Sequence, residues 1–276
     1  MRLGIALPID FGAEPAGLQA GGDIISEGAR AAEANGFDSV WFFDSIGRGR
    51  MSLDPLMGAA VAASATERIE VGLGILQVPL RHPVELAQRV LTAQVVCGPR
   101  LLLGVGSGST RADFEAVGKR FEDRMTLLRD GLATMKRLWD GETVDGANLS
   151  PSNAVRGGPS VLIGSWAGPR WIASAANEYD GWIASAFFSG YNTLKEGLDR
   201  YRAAGGKRAI ITNISLDLNA PTEWLRDTEN AYHLRCAPPD AAARLQRLAD
   251  AGFDDAVVVY RGGAPADLAA IRALLP

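Results

Sequence analysis

The chain has 276 residues, 47% of them hydrophobic, and a formal net charge of −4. That size allows a sizeable core in two small domains or one large α/β domain, and the lack of any long Lys/Arg run removes the electrostatic footprint of a nucleic-acid binder. No stretch approaches the roughly 20 apolar residues of a membrane span, and the apolar run near Met1 is only about five residues, too short for a signal-peptide core. The expectation is a soluble, cytoplasmic protein with neither a membrane nor a nucleic-acid partner.

Short apolar runs alternate with helical periodicity along almost the whole sequence, the pattern of repeated βα units around a parallel sheet. In chain order, strands are expected over 2–8, 38–44, 70–78, 100–106, 160–165, 181–186, 208–218 and 255–260. Helices are expected over 22–35, 55–66, 83–97, 121–139, 169–177, 191–204, 239–251 and 265–275. Pro55 and Pro83 suit first-turn positions, and Gly36 and Gly252 suit left-handed helix ends. The stretch 141–159, rich in Gly, Asn, Ser and Pro, reads as a surface connection. Eight strands each followed by a helix fit one (β/α)8 barrel domain, a TIM barrel over 1–276, with an open doubly wound sheet as the other arrangement.

In a barrel the chemistry belongs at the C-terminal ends of the strands, which directs attention to a few short segments. "LLLGVGSGSTR" (101–111) places glycines at 104, 106 and 108, but Ser109 stands where a dinucleotide fingerprint needs its third glycine, and no Gly-Lys-Ser/Thr follows for a P-loop. A tight turn and a backbone surface for a ligand both remain open for it. "SVLIGSWAGPR" (160–170) runs a strand into small residues and then a helix start, where free N–H groups and Arg170 could meet an anion. In "EVGLGILQVPLRHP" (70–83), two glycines within a strand mark a bulge or a close backbone approach. Asp44 and His82 are the candidate acid or base residues, each set against a structural alternative: bonding to a neighbouring loop for Asp44, packing before the Pro83 helix for His82. Cys97, Cys236, His82 and His233 are too scattered for a zinc site, so no metal is expected and both thiols read as free.

Taken together, "GFDSVWFFDS" (36–45), "TERIEVGLGILQVPLRHPVELAQ" (66–88), "RLLLGVGSGSTRADFEAVG" (100–118), "RFEDRMTLLRDGLATMKRLWDGE" (120–142) and "GPSVLIGSWAGPRWIASAANEYDGWI" (158–183) resemble the luciferase-like monooxygenase family. A weaker echo follows over 234–260. The resemblance implies a (β/α)8 barrel that uses FMN or, in a sister branch, the deazaflavin F420. It places Gly74 and Ile75 at a bulge under the isoalloxazine ring, often with a cis peptide. Gly106, Ser107 and Gly108 would lie beside the ring or ribityl chain, and Gly164, Ser165, Gly168, Pro169 and Arg170 would hold the phosphate. Asp44 would stand near the substrate.

Two positions depart from the F420-dependent sugar-phosphate dehydrogenase branch, which carries a His and a Glu where this chain has Ser45 and Ser109. That particular activity is therefore not expected; the resemblance implies a flavin-dependent oxidoreductase, a monooxygenase in which reduced FMN and O2 act on a small organic substrate, with Asp44 and His82 as catalytic candidates. F420-dependent hydride transfer and a non-catalytic flavin-binding barrel are the alternatives. A separate flavin reductase and a homodimer are the expected partners.

Overall fold

Strands covered on both faces read as nearly continuous apolar runs, which is why the eight segments stand out in the sequence. The computed structural model describes residues 1–7, 21–46, 48, 52–165, 169–260 and 267–275. Its strands are β1 (Arg2–Ala6), β2 (Ser39–Phe42), β3 (Glu70–Leu73), β4 (Leu76–Gln77), β5 (Leu101–Gly106), β6 (Ser160–Gly164), β7 (Gly181–Ser185), β8 (Ala209–Asp217), β9 (His233–Arg235) and β10 (Asp255–Tyr260). Neighbours pair in parallel, and β10 joins both β1 and β8, so the sheet closes on itself. The result is a (β/α)8 TIM barrel whose third strand is the broken pair β3–β4. β9 lies outside the ring, paired to the far end of β8.

The helices are α1 (Gly21–Ala34), α2 (Pro55–Ala65), α3 (Pro83–Cys97), α4 (Arg111–Ala116), α5 (Arg124–Trp139), α6 (Pro169–Asn177), α7 (Tyr191–Ala203), α8 (Pro238–Ala251) and α9 (Asp267–Arg272). Their ends follow local chemistry. Asp54 caps α2 by accepting from the backbone N–H groups of Leu56 and Met57 at 3.0 and 3.2 Å, with Pro55 in the first turn. Gly36 and Gly252 take positive φ values of 81° and 104°, as expected after α1 and α8. The connection 141–159 is irregular apart from a Val144–Ala147 bridge. α4 and β9 are additions to the expected elements.

Two apolar layers hold the fold. The larger lies between sheet and helices; the smaller fills the barrel interior with Trp41, Leu102, Leu162, Ile183, Ile210 and Val257. Trp41 is fully buried, and its indole N–H donates to Ser39 Oγ at 2.8 Å. This ring explains one of the two strand glycines: a Cβ on Gly72 would lie 2.5 Å from the Trp41 ring. Gly72 is thus a packing residue, and the other glycine, Gly74, leads to the site. Among the described residues no helix is long and apolar enough to cross a membrane.

Candidate active site

The strand ends open into two adjoining cavities of about 540 and 430 Å³, each within the range of roughly 300 to 1,000 Å³ usual for ligand pockets. They share Gly74, Ile75, Gly108, Ser109, Ser185, Phe188 and Asn213. The larger lies over the ends of β1, β2 and β10, with Leu7, Phe43, Arg48, Val259 and Tyr260 in its wall. The smaller runs past Gly106, Ser107, Gly164 and Ser165 to Phe121, Arg124 and Trp171.

Ile75 forms the step between them. The Gly74–Ile75 peptide is cis, and the Ile75 side chain fills the space that two glycines leave beside it. A Cβ on Gly106 would come within 2.7 Å of Ile75 Cδ1, and one on Gly164 within 2.5 Å of Ile75 Cγ2. Any larger residue at either place would drive Ile75 up into the cavity, so the pair keeps a low, flat floor. Ser165 is held beside it, its carbonyl and hydroxyl oxygens accepting from the Trp182 indole N–H at 3.1 and 3.2 Å. The sequence-predicted set Gly74, Ile75, Gly106, Ser107, Gly108, Gly164 and Ser165 therefore lines one continuous space. Gly168 lies outside the described residues, and Pro169 and Arg170 open α6.

Asp44 reaches the cavity wall, but its carboxylate is occupied. Arg81 grips both oxygens, at 2.5 and 3.0 Å, and the Gln77 backbone N–H donates to one of them at 2.8 Å. Burial alone would lower the Arg81 pKa; the hydrogen bond and charge of Asp44 outweigh it and leave the guanidinium more basic than usual. With side-chain exposures of 2% and 10%, this is a buried ion pair that ties the end of β2 to the turn after β4. Both oxygens of Asp44 are thus engaged in holding the neighbouring turn. His82 is the exposed N-cap of α3, with no side-chain capping bond and no place in either cavity wall.

A parallel clamp lies beside it, and the Gln77 amide nitrogen touches both. Arg48 donates through Nε and Nη2 to the two oxygens of Asp113, at 3.1 and 2.6 Å, and Asp113 on α4 is completely buried. The Asp113 hydrogen bond raises the Arg48 pKa first of all, against desolvation.

Several lining residues escape a sequence reading. Asn213 sits in a bulge of β8, where the pairing with β10 slips by one residue between Ala256 and Val258. Its φ of 61° is a left-handed conformation that asparagine tolerates better than most side chains. Its amide nitrogen donates to Ser185 Oγ at 3.3 Å and Thr212 Oγ1 at 3.2 Å. Arg124 begins α5, donates to the Phe121 carbonyl at 3.2 Å and lies 4.1 Å from the Phe121 ring centroid. Among the described residues it has no carboxylate partner. The only sequence signal was an Arg at the first residue of a helix, where a cation is not favoured by the helix dipole and so invites another explanation.

Known proteins share this fold. A family model described as luciferase-like monooxygenase matches residues 1–231. The F420-dependent glucose-6-phosphate dehydrogenase of Beutenbergia cavernae is 30% identical over 247 residues, covering 83% of this chain and 72% of that protein. Two further relatives, at 27% identity, are matched over 55% and 50% of their own length. Among solved structures, the monooxygenase RslO1 of Streptomyces bottropensis superposes with a TM-score of 0.78 at 20% identity, covering 99% of this chain and 97% of that one. The oxygenating constituent of 3,6-diketocamphane monooxygenase from Pseudomonas putida, solved with FMN, gives 0.75 at 17% identity, with 99% and 97% covered. At those identities the structures speak for the fold, and the sequence match for descent: the chain belongs to the luciferase-like monooxygenase family, a family of oxidoreductases.

Proposed function

We propose that the chain is a flavin-dependent monooxygenase that takes reduced FMN in the joined cavities and uses O2 on a small organic substrate. The observation that carries this reading is the flat floor of Gly74, Ile75, Gly106 and Gly164, which runs to an arginine, Arg124, lacking a carboxylate partner among the described residues. A planar ring lies against backbone only where side chains are absent, and a terminal phosphate calls for an unpaired cation. When bound, the cofactor supplies the redox chemistry with O2. The protein's own residues do the rest: the glycine floor and Ile75 orient the ring, Arg124 and Ser165 face the phosphate end, and Leu7, Phe43, Phe188 and Val259 give the substrate side an apolar wall that excludes water. Oxygenation also suits a cavity whose lining carboxylate, Asp44, is locked to Arg81 and whose lining Arg48 is held by the buried Asp113. A separate reductase would deliver the reduced cofactor.

A second reading, hydride transfer with F420, is favoured by the name of the Beutenbergia cavernae relative. Separate titrations of FMN and F420, followed by fluorescence and visible absorption, decide between them. Micromolar binding of FMN with oxygen consumption on reduction supports the first reading; binding of F420 alone supports the second, and binding of neither overturns both.

A further inference from the structure

Gln77 ends β4 and is 2% exposed. Its amide nitrogen donates to two oxygens, the Asp44 carbonyl at 3.1 Å and Asp113 Oδ2 at 3.2 Å. Neither has a proton to give back, because one is a backbone carbonyl and the other belongs to a buried carboxylate gripped by Arg48. Turning the amide over would set oxygen against both, so its partners dictate its orientation. The consequence is that Gln77 Oε1 faces the other way, buried and without a hydrogen-bond partner among the described residues. Gln94 Oε1 shares that condition, but it belongs to the outer helix α3 and lines neither cavity.

Gly108 stands directly over the Gln77 oxygen, and a Cβ there would lie 2.4 Å from it. Gly108 has φ of 76°, and both residues line the larger cavity. The Gly108 backbone covers the oxygen with the Phe114 ring close by, so a ligand reaches it by displacing the turn Ser107–Thr110. A buried acceptor with no donor is rare enough to ask for one. The donor is an uncharged N–H, because Asp44 and Asp113 are already matched by Arg81 and Arg48 and leave no excess negative charge to draw a cation.

We propose that Gln77 Oε1 accepts from the imide N–H of the pyrimidinedione ring that flavins and deazaflavins share, and so selects the ligand by its ring edge. This rests on the flavin reading of the site but not on the choice between FMN and F420.

The test is binding, read by fluorescence, with probes that lack the phosphate: lumiflavin against 3-methyllumiflavin, and 8-hydroxy-5-deazariboflavin against its 3-methyl derivative. In the wild-type protein, methylation should weaken binding about tenfold, the equivalent of one hydrogen bond. In Gln77→Leu that penalty should shrink to less than about twofold, because the acceptor is already gone and methylation has no bond left to break. General damage to the site lowers both affinities together and leaves the ratio unchanged. Gln77→Asn, which withdraws the oxygen by one methylene, should also shrink the penalty and serves if the leucine variant does not fold. Equal wild-type binding of each methylated and unmethylated pair overturns the proposal alone, as does a penalty that persists in both variants. No binding of any of the four probes overturns it together with the flavin reading.

Discussion

Where the barrel strands begin, Arg2, Glu70, Arg208 and Asp255 pair with one another across four strands; where they finish, glycines and hydroxyls line an open space. Arg208 donates to Glu70 at 2.8 Å and to both oxygens of Asp255 at 2.9 and 2.8 Å, with the Asp255 side chain 1% exposed. Charges exist at the finishing end too, but they are drawn aside into the Asp44–Arg81 and Arg48–Asp113 clamps. One end satisfies itself and contributes stability. The other is held apart by its own ion pairs and keeps its centre for a ligand, the division of labour usual for this fold.

That contrast can be broken from either side. The largest effect should come from Arg208→Met, which strips a buried carboxylate of its main partner and should cost about 3 to 5 kcal/mol in urea or thermal unfolding. FMN binding by the folded fraction should be preserved. A smaller change at the other end, Gly106→Val, should cost about 1 to 3 kcal/mol by overpacking against Ile75, and should weaken FMN and riboflavin alike. Arg124→Met should leave stability nearly unchanged and weaken FMN about tenfold, roughly one charge-assisted bond, while riboflavin, which lacks the phosphate, binds as before. Glu70 supplies a pH test of the self-satisfied end. Burial pushes its carboxyl up, but the hydrogen bonds and charges of Arg208 and Arg2 outweigh that and bring it below its ordinary value of 4.5. Its stabilisation is therefore present above pH 4.5 and lost as pH falls through the lower folded value, so Glu70→Gln should flatten the acid limb of a stability profile. His82→Ala should change stability by less than about 0.5 kcal/mol and leave FMN binding intact.

The barrel was legible because its signals are local. Strands such as β2 and β5 are runs of apolar residues buried along their whole length, and helices such as α1 and α8 carry their own period. The broken third strand was half legible: Gly72 and Gly74 announced an interruption, but nothing in the spacing distinguishes a glycine that admits Trp41 from one that borders a cavity. The glycine-rich strand ends that line the cavities stood out for the same local reason. What stayed hidden depended on partners far along the chain. Asp44 looks like a catalytic carboxylate until Arg81, 37 residues on, is seen to hold it. Arg48 and Asp113 are 65 residues apart and give no sequence sign of meeting. His82 makes the converse point: a residue type suited to acid–base work says nothing about which way the chain turns it. β9 is only three residues long, too brief for any period to show.

The bulge at Asn213 has a consequence for tolerance to length change. A strand alternates its faces with a period of two, so one inserted residue reverses the parity of everything after it. Beyond the bulge, Ile214 and Leu216 are buried while Ser215 and Asp217 are exposed. Closing the bulge with every residue kept would turn Leu216 off the face it shares with Ile211 and bring Asp217 onto it, whereas removing one residue at 212 or 213 leaves a regular ladder with Ile214 and Leu216 on their present face. The far half of β8 is thus written in a reading frame set by the extra residue, and a one-residue deletion at the bulge should cost less than a one-residue insertion beyond it.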